Sequence, residues 1–500
     1  MFKKVLIANR GEIAVRIAQT LREMGIGVVA VYSEPDRAAP HVAAADEAWP
    51  LEGQVPADTY LRADKIIAIA RERGADAIHP GYGFLAENAE FASACRDARI
   101  AFIGPPPEVI RAAGDKINAR RVATDAGVPV VPGWTGSRDA GRDAVRTEAE
   151  RIGYPLLVKA AAGGGGRGMR RANSAAELNA ALDAAAREAR AAFGDDRLFL
   201  ERCIERPRHV EIQVFGDGHG GLVHLFERDC SVQRRYQKVI EETPSPASSP
   251  DLRAAMADAA LRVSRALRYV NAGTVEFLVD EGGRFYFLEI NTRLQVEHPV
   301  TEMTLGCDLV RAQVLVAAGQ PLPFAQEDLL PRGHAIEFRI CAEDPAADFR
   351  PCTGVVRRFR PPLGPGIRVD AGIVEGTAVT PHYDALLAKV IVRGPDRPTA
   401  LARARRALDE FVLLGVTHNV GFLRRVLDHP DFAAGRVHTH FLADNPITTS
   451  NGYLPDEALV IAAWAALRRN SSGHRNECIG DRAPNETDGP WDAAGAWRTL

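Results

Sequence analysis

The sequence lacks several features that mark particular classes of protein. The 500 residues include seven cysteines, an odd number with no CxxC pair, which argues against a disulfide framework or a zinc site. A net charge of −3 offers no electrostatic footprint for nucleic acid or for an anionic membrane. No apolar run is long enough to span a bilayer, and polar residues interrupt the first one at Asn9 and Arg10. We therefore expect a cytoplasmic enzyme with no membrane or nucleic-acid partner.

Lysine is scarce as well. Only seven of the 62 basic residues are lysine, so arginine supplies most of the positive charge. A lysine in a motif-like setting is therefore a candidate for contacting a phosphate as a compact point charge. Lys116, Lys159 and Lys238 have such settings.

The length and the order of predicted elements favour about three domains of mixed α/β structure. Residues 1–113 alternate strand and helix signals, which predicts a doubly wound parallel domain. Its first turn, ANRGEIAVR, lacks the G-x-G-x-x-G pattern of a dinucleotide site. The glycines of HPGYGF (79–84) follow a strand end and fit a ligand site or a tight turn equally well.

Later segments predict a helix over 115–127 that begins at Asp115, and a capping box of Ser174 and Glu177 before an alanine-rich helix. Residues 334–393 are rich in strand signals, and two helices follow at 398–412 and 419–428. From about 446 the chain turns polar, which indicates a linker or the start of a further module.

A β-hairpin is predicted where VEFLVD (275–280) and RFYFLEI (284–290) flank EGG. A two-residue or a four-residue loop gives the same register, which sets Glu276 opposite Glu289. Like charges opposed in this way destabilise a sheet unless a cation lies between them. Magnesium or manganese suits such oxygen ligands, and Asn291 adds another on the same side. Two solvated edge glutamates are the alternative.

The stretch EINTRLQVEHP (289–299) follows this hairpin. Glu289, Asn291, Arg293, Gln295 and Glu297 occupy alternate positions, so an extended segment would point all five to one face. Upstream, KAAAGGGGRGMR (159–170) places four glycines after a strand-end lysine. Backbone N–H groups of such a run can face an anion, which predicts a nucleotide-binding loop, although the Walker pattern is absent.

From residue 1 to about 445 the chain resembles the biotin carboxylases of the ATP-grasp superfamily. The stretches that carry the resemblance are KVLIANRGEIAVRI, IHPGYGFLAEN, FIGPPPEVIRAAGDK, VKAAAGGGGRGMR, ERDCSVQRRYQKVIEE, FYFLEINTRLQVEHPVTEM, RICAEDP and GVTHN.

The resemblance implies an ATP-dependent carbon–nitrogen ligase. Bicarbonate attacks the γ-phosphate of ATP, and the resulting carboxyphosphate delivers CO2 to biotin on a carrier, the first half-reaction of an acyl-CoA carboxylase. The cofactors implied are ATP, two Mg²⁺ or Mn²⁺ ions, and carrier-bound biotin. The implied domains are an N-terminal domain (1–113), an ATP-grasp domain (114–317) with a mobile glycine-rich lid at about 131–203, a C-terminal α+β domain (318–445), and a linker or further module (446–500).

The resemblance also implies a role for each matching residue. Implied catalytic residues are Arg293, Glu297 as the base that deprotonates bicarbonate, Lys238, and Arg339 as the cation that stabilises the biotin enolate. Implied nucleotide contacts are Lys116, Lys159, Gly163, Gly164, Gly165, Gly166, Gly168, Met169, Glu201, Ile204, His209, Gln233 and Tyr236. The bicarbonate and biotin sites take Lys238, Arg293, Gln295, Val296, Arg339 and Tyr82, and the metal ligands are Glu276, Glu289 and Asn291. His298, which precedes a proline, is expected to pack or orient rather than react.

Two departures from the family pattern stand out. RRYQK places Tyr236 where many members have histidine, which predicts an altered nucleotide contact rather than lost activity. EETPSP replaces the more usual EEAP. Two other functions remain open, a different bicarbonate-phosphorylating ATP-grasp ligase of the carbamoyl-phosphate type and a non-catalytic nucleotide-binding regulatory subunit.

The expected partners are a biotin carboxyl carrier domain or protein, a carboxyltransferase subunit, and further copies of this chain. Biotin is attached through a lysine, and the last lysine is Lys389, in a strand-like segment where matching chains carry no biotin. Biotin is therefore expected on a separate protein or on a C-terminal portion of the same subunit. The tail at 485–500 faintly resembles α-chains of methylcrotonyl- and propionyl-type carboxylases, which favours the second.

Overall fold

A computed structural model of the chain describes residues 1–136, 141–161, 168–447, and 460, 461 and 464. The chain divides into two units, Met1–Thr448 and Thr449–Leu500. The three described residues of the second unit are helical and exposed. No helix in the described part of the chain has both the length and the apolar character needed to cross a bilayer.

The first unit opens with a five-stranded parallel sheet in the order β3-β2-β1-β4-β5, as the alternating pattern predicts. Its central strands are continuous apolar runs because helices cover both faces of such a sheet. The elements are β1 (Lys4–Ile7), α1 (Gly11–Glu23), β2 (Gly27–Tyr32), α2 (Pro40–Ala43), β3 (Glu47–Pro50), α3 (Ala63–Glu72), β4 (Ala77–His79), α4 (Ala89–Asp97), β5 (Ala101–Phe102) and α5 (Pro107–Gly114).

The middle of the unit contains a four-stranded antiparallel sheet, β6-β9-β7-β8, and most of a larger one. Its elements are α6 (Lys116–Asp125), β6 (Gly133–Trp134), α7 (Arg142–Ile152), β7 (Leu156–Ala160), β8 (Met169–Ala172), α8 (Ala175–Phe193), β9 (Leu198–Arg202), β10 (Arg208–Gly216), β11 (Leu222–Arg234), β12 (Gln237–Thr243), α9 (Pro250–Ala266), β13 (Asn271–Val279), β14 (Phe285–Asn291), α10 (His298–Leu305) and α11 (Leu309–Ala317).

The last part adds strands and a set of helices around a core that also includes Val232 and Ile240 of the middle part. Its elements are β15 (His334–Cys341), β16 (Glu343–Asp344), β17 (Arg350–Pro351), β18 (Gly354–Val355), β19 (Arg358–Arg360), β20 (Ile367–Ala371), β21 (Ala378–Val379), β22 (Leu386–Gly394), α12 (Arg397–Glu410), β23 (Val412–Leu414), α13 (Val420–Asp428), α14 (Pro430–Ala433) and α15 (Phe441–Asp444).

One eight-stranded antiparallel sheet joins the middle and last parts, in the order β14-β13-β10-β11-β12-β15-β22-β20. Strand β12 pairs with β15, so hydrogen bonds run across the boundary predicted near residue 317. Side chains from both parts therefore share one face of a single sheet. The predicted domain limits stay predictions.

The hairpin of β13 and β14 brings Glu276 opposite Glu289, as predicted, but its loop length and the register beside the loop differ from the prediction. The loop has three residues rather than two or four, because Gly283 takes φ +78° and the N–H of Asp280 donates to Arg284 across it. This shifts the register by one residue, so that Val279 faces Phe285. A bulge at Leu288 then restores the pairing of the two glutamates.

The helix-start predictions have mixed outcomes. Asp115 begins α6 and its carboxylate accepts from the N–H of Asn118, as predicted. The capping box is wrong, since Ser174 makes no side-chain cap hydrogen bond. Glu177 instead accepts from the backbone and side-chain nitrogens of Asn173, one residue earlier.

Candidate active site

A cavity of about 1250 Å³ lies over the eight-stranded sheet and is lined also by loops of the parallel sheet and by the four-stranded sheet. Among the predicted site residues that the structure describes, all line it except Glu297 and Gly168. Glu297 is fully buried behind the cavity wall. The glycines at 163–166 fall outside the described residues.

A row of acidic side chains runs across three strands of the sheet, and two of them, Glu276 and Glu289, line this cavity. Glu289, Glu276 and Glu211 are in register on β14, β13 and β10, so three carboxylates stand side by side. Glu211 also faces Arg228 on β11, whose Nε lies 2.6 Å from the Glu211 carboxylate. Such a row is stable only if cations meet it.

Lys238 is the cation at the centre of the site. Its Nζ donates to Glu211 at 2.6 Å, to Glu276 at 2.8 Å and to Glu297 at 2.7 Å. Burial lowers the pKa of Lys238, but the three carboxylates outweigh burial and raise the pKa well above its usual value. The ammonium therefore stays charged in a place where a developing negative charge would meet it.

Glu297 is held as a carboxylate. Besides Lys238, it accepts from Nη2 of Arg339 at 3.0 Å and lies 3.7 Å from the thiol of Cys230. Burial raises the pKa of Glu297, but Lys238, Arg339 and Arg228 together hold it well below its usual value. The group is thus ionised at neutral pH and can accept a proton, which a general base requires.

Arg293 projects into the cavity beside this pair and is fixed on several sides. Its Nε donates to Glu87 at 2.9 Å, and its terminal nitrogens donate to Gln295 at 2.7 Å and to Asn291 at 3.3 Å. Glu87 also accepts from the N–H of Thr292 at 3.0 Å. A guanidinium oriented in this way presents a fork that matches a small planar anion.

The prediction that residues 289–297 form one extended face is wrong beyond Asn291. Strand β14 ends there, a turn occupies 296–297, and α10 begins at His298. The five alternating side chains still gather at one site, because the turn carries Glu297 back under Lys238. His298 is fully buried, and Nδ1 of its ring is 2.8 Å from the carbonyl of Gln295, as expected for a packing residue.

The side chains predicted to bind metal present suitable oxygen donors. Glu276 is buried, and its carboxylate contacts Lys238 and His209. Glu289 is half-buried, and its carboxylate contacts Lys116. A divalent cation would stabilise the same row of carboxylates, so the residues fit Mg²⁺ or Mn²⁺. Asn291 turns its amide nitrogen toward Glu276, at 2.9 Å, so the amide would have to reverse to act as a ligand. In the described chain, His209, Glu211 and Glu276 also bring one ligand atom each within 4.8 Å of one another.

The predicted nucleotide contacts that the structure describes, apart from Gly168, also line the cavity. Lys159 lies 2.5 Å from Glu201, and Arg120 fixes the other oxygen of Glu201 at 2.7 Å. His209 lies 2.7 Å from Gln233. Met169 and Ile204 also line the cavity.

Two further predicted nucleotide contacts, Tyr236 and Gly168, have positive φ angles. Tyr236 lies in the turn between β11 and β12 with φ +66°, and it is 52% exposed and lines the cavity. Gly168 has φ +69°, and a Cβ there would lie 2.9 Å from the Cβ of Ala160, so the chain requires glycine.

Several residues that shape the site were not singled out in the sequence. Each of them contacts a predicted site residue, except Arg228, which contacts Glu211. They are Glu87, Arg120, Glu211, Arg228 and Glu241. Glu87, Arg228 and Glu241 lie inside stretches that carry the family resemblance, and Glu211 shares the alternation of HVEIQV, so a signal was present for these four.

Three family models match the chain in order. They are the biotin carboxylase N-terminal domain over residues 1–110, the carbamoyl-phosphate synthase L chain ATP-binding domain over 115–325, and the biotin carboxylase C-terminal domain over 337–444.

Similar whole proteins were also found. The chain is 50% identical over 443 residues to a biotin carboxylase of Nostoc sp., covering 89% of this chain and 99% of that protein. It is 49% identical over 467 residues to the mitochondrial methylcrotonoyl-CoA carboxylase subunit alpha of Mus musculus, covering 93% of this chain. The match spans 65% of the mouse protein's length, so it corresponds to about two thirds of that subunit.

Solved structures give the same result. The dimeric biotin carboxylase domain of the Hydrogenobacter thermophilus 2-oxoglutarate carboxylase, in complex with MgADP, ADP and bicarbonate, matches with a TM-score of 0.87 and 46% identity over 89% of this chain and 98% of that one. A biotin carboxylase complex from Campylobacter jejuni with a β,γ-ATP ligand matches with a TM-score of 0.87 and 42% identity over 89% and 99%.

Proposed function

The chain belongs to the biotin carboxylase family and is an ATP-dependent ligase that carboxylates biotin, and on that premise we propose how its residues divide the work. ATP, Mg²⁺, bicarbonate and carrier-bound biotin are its reactants and cofactors. The observation that carries the proposal is the contact of Lys238 with Glu297 beside Arg293, at the wall of one cavity.

Bicarbonate is bound by the fork of Arg293, with Gln295 and Val296 completing its site. Glu297 takes the proton of bicarbonate, since its carboxylate is ionised and buried between two cations. Proton removal makes the anion a better nucleophile toward the γ-phosphate of ATP. Lys238 stabilises the negative charge that develops there, and because it is already fixed by three carboxylates it needs no reorganisation.

ATP is bound at the other end of the cavity. Lys116 and Lys159 meet the phosphates as point charges, while Glu201, Ile204, His209, Gln233 and Tyr236 surround the nucleoside. Glu276, Glu289 and, with its amide reversed, Asn291 would hold Mg²⁺ or Mn²⁺, and the ion would supply positive charge to offset that of the phosphates.

Biotin enters beside Arg339 and Tyr82. Arg339 donates to Glu241 at 2.6 Å and to Glu297 at 3.0 Å, so its charge is held where the ureido oxygen of biotin would gain negative charge. Tyr82 forms a wall of this pocket. Carboxyphosphate breaks down to CO2 and phosphate, and the ureido nitrogen takes up the CO2 as its N–H proton passes to the phosphate.

We infer the wider assembly from the relatives. Biotin arrives on a carboxyl carrier, either a separate protein or a C-terminal portion of a longer α-chain. A carboxyltransferase then uses the carboxylated biotin. The match to two thirds of the mouse methylcrotonoyl-CoA carboxylase subunit supports the longer chain. The dimeric Hydrogenobacter domain supports a homo-oligomer. A cytoplasmic location and the domain limits of 1–113, 114–317 and 318–445 belong to the same proposal.

The test is the dependence of ATP cleavage on its co-substrates. Purified protein with Mg-ATP, bicarbonate and free biotin should release ADP and form carboxybiotin, and omitting bicarbonate or biotin should stop product formation. If ammonia or glutamine replaced biotin as the stimulant, the site would be of the carbamoyl-phosphate type. The flanking N-terminal and C-terminal matches favour biotin.

A further inference from the structure

Lys389 is a fully buried lysine that the mechanism above does not use. It lies on β22 directly opposite Arg339 of β15. Its Nζ donates to the backbone carbonyl of Val296 at 2.7 Å and lies 3.3 Å from a carboxylate oxygen of Glu12 and 3.9 Å from Asp370. Burying an ammonium group is costly unless opposite charges and hydrogen bonds compensate it, so these contacts of Lys389 must offset its cost of desolvation.

The carbonyl that Lys389 holds belongs to the turn that carries the proposed base. Residues 296–297 form the turn between the end of β14 and the start of α10. The peptide that bears this carbonyl also bears the N–H of Glu297. A shift of the turn would move the Glu297 carboxylate relative to Lys238 and Arg339, which lie on two other strands.

The same lysine is connected to the proposed biotin pocket. The hydroxyl of Tyr82 donates to the Glu12 oxygen that faces Lys389, and the ammonium of Lys389 lies 5.9 Å from the centre of the Tyr82 ring. Contacts therefore run from Tyr82 through Glu12 and Lys389 to the carbonyl of Val296. They join α1, β22 and the 296–297 turn, which are far apart in sequence.

The charges around Lys389 allow it to remain an ammonium. Burial lowers its pKa, but Glu12, Glu337 and Asp370 raise the pKa above its usual value. Glu337 is fully buried, and neither of its carboxylate oxygens has a hydrogen-bond partner in the described structure. Burial raises the pKa of Glu337 well above its usual value, and Lys389 lowers it.

We propose that Lys389 is a positioning residue that fixes the 296–297 turn, and thereby Glu297, in register with Lys238 and Arg339. The proposal rests on the proposed function, because it concerns the placement of the proposed base. Lys389 touches neither substrate nor cofactor in this scheme.

The test uses three variants, Lys389→Met, Lys389→Met/Glu12→Gln and Glu12→Gln. Burial raises the pKa of Glu12 to about 7 even with Lys389 present, so in the single variant Glu12 can take up a proton, and the double variant removes one charge of each sign. The matched control is Lys4→Met/Glu47→Gln. There too a lysine Nζ joins a glutamate, at 2.6 Å, and a backbone carbonyl, that of Arg73 at 3.0 Å, but Lys4 and Glu47 do not line the cavity.

Amide hydrogen exchange over residues 292–300 is measured first, without substrates. It should be faster in both Lys389 variants and unchanged in the control, because the carbonyl of the turn has lost its donor. In kinetics, kcat should fall about tenfold or more while KM for Mg-ATP stays at the wild-type value, since small misplacements of a reacting group cost up to about 100-fold. Glu12→Gln alone keeps the contact with Val296 and should keep slow exchange.

Each result decides the question. Wild-type exchange and wild-type kcat in a folded Lys389 variant would overturn the proposal. Loss of folding in both Lys389 variants would also overturn it, because Lys389 would then be a general structural residue. Fast exchange in Glu12→Gln would assign the effect to buried charge rather than to the Val296 contact and would also overturn it. Wild-type protein that fails to carboxylate biotin counts against the proposed function instead, since exchange needs no substrate.

Discussion

Replacing Glu297 by glutamine tests the assignment of the base most directly. The substitution keeps the size of the side chain and one acceptor oxygen but removes the ability to take a proton. General-base catalysis typically contributes about 10²- to 10⁴-fold, so we expect kcat to fall by that factor, or about 3 to 5 kcal/mol in activation free energy.

The fold should tolerate this change. Each cation that loses Glu297 keeps another carboxylate partner, since Lys238 retains Glu211 and Glu276, and Arg339 retains Glu241. The severe cost of breaking a buried pair arises when one charge is left alone, and here none is. Unfolding curves of the variant and the wild type should therefore nearly coincide.

Glu227→Gln is the matched control. Glu227 is likewise a fully buried glutamate, but its partners are Arg253, at 2.7 Å, and the backbone N–H of Ser245, at 3.2 Å, rather than Lys238 and Arg339. The assay is the initial rate of carboxybiotin formation at saturating Mg-ATP, bicarbonate and free biotin. A Glu297→Gln enzyme that is folded and keeps more than about a tenth of the wild-type rate would refute Glu297 as the base.

Two further outcomes follow from the same site. Glu289→Gln should leave the fold intact but raise the Mg²⁺ concentration needed for half-maximal ATP cleavage, and chelating the metal should stop wild-type turnover, whereas an unchanged Mg²⁺ titration would remove Glu289 from the ligand set. Burial raises the pKa of Glu241 to about 7, against an ordinary value of 4.5, so its protonated form contributes stability below pH 4.5 that is lost as the pH rises through 7. Glu241→Gln should therefore gain stability relative to wild type between pH 5 and pH 8, by up to about 3 kcal/mol, in chemical denaturation at both pH values, and a difference independent of pH would contradict a raised pKa.

Much of this protein follows from the sequence alone. Alternating strand and helix signals predicted the parallel N-terminal sheet, since a buried parallel strand must be apolar throughout. Period-two alternation placed Glu276 and Glu289 on one face of a hairpin. The ordered motifs identified the family, because each motif keeps residues that chemistry needs at fixed spacing.

Other features were decided only by tertiary structure. The choice of a three-residue loop with Gly283 at positive φ, and the bulge at Leu288 that corrects its register, depend on the packing of β14 and not on local pattern. At the start of α8, Glu177 accepts from the N–H of Asn173, and Ser174 makes no side-chain cap hydrogen bond.

The placement of the base shows the difference most clearly. The sequence predicts that Glu297 belongs with Arg293 and Gln295, but it predicts a straight strand, and the chain turns instead. The turn brings Glu297 between Lys238 of β12 and Arg339 of β15. Lys389 of β22 donates to the Val296 carbonyl of this turn. These partners lie between 42 and 93 residues away along the chain. Local spacing carries no information about such contacts, so only the pairing of the eight strands decides which cation meets which carboxylate.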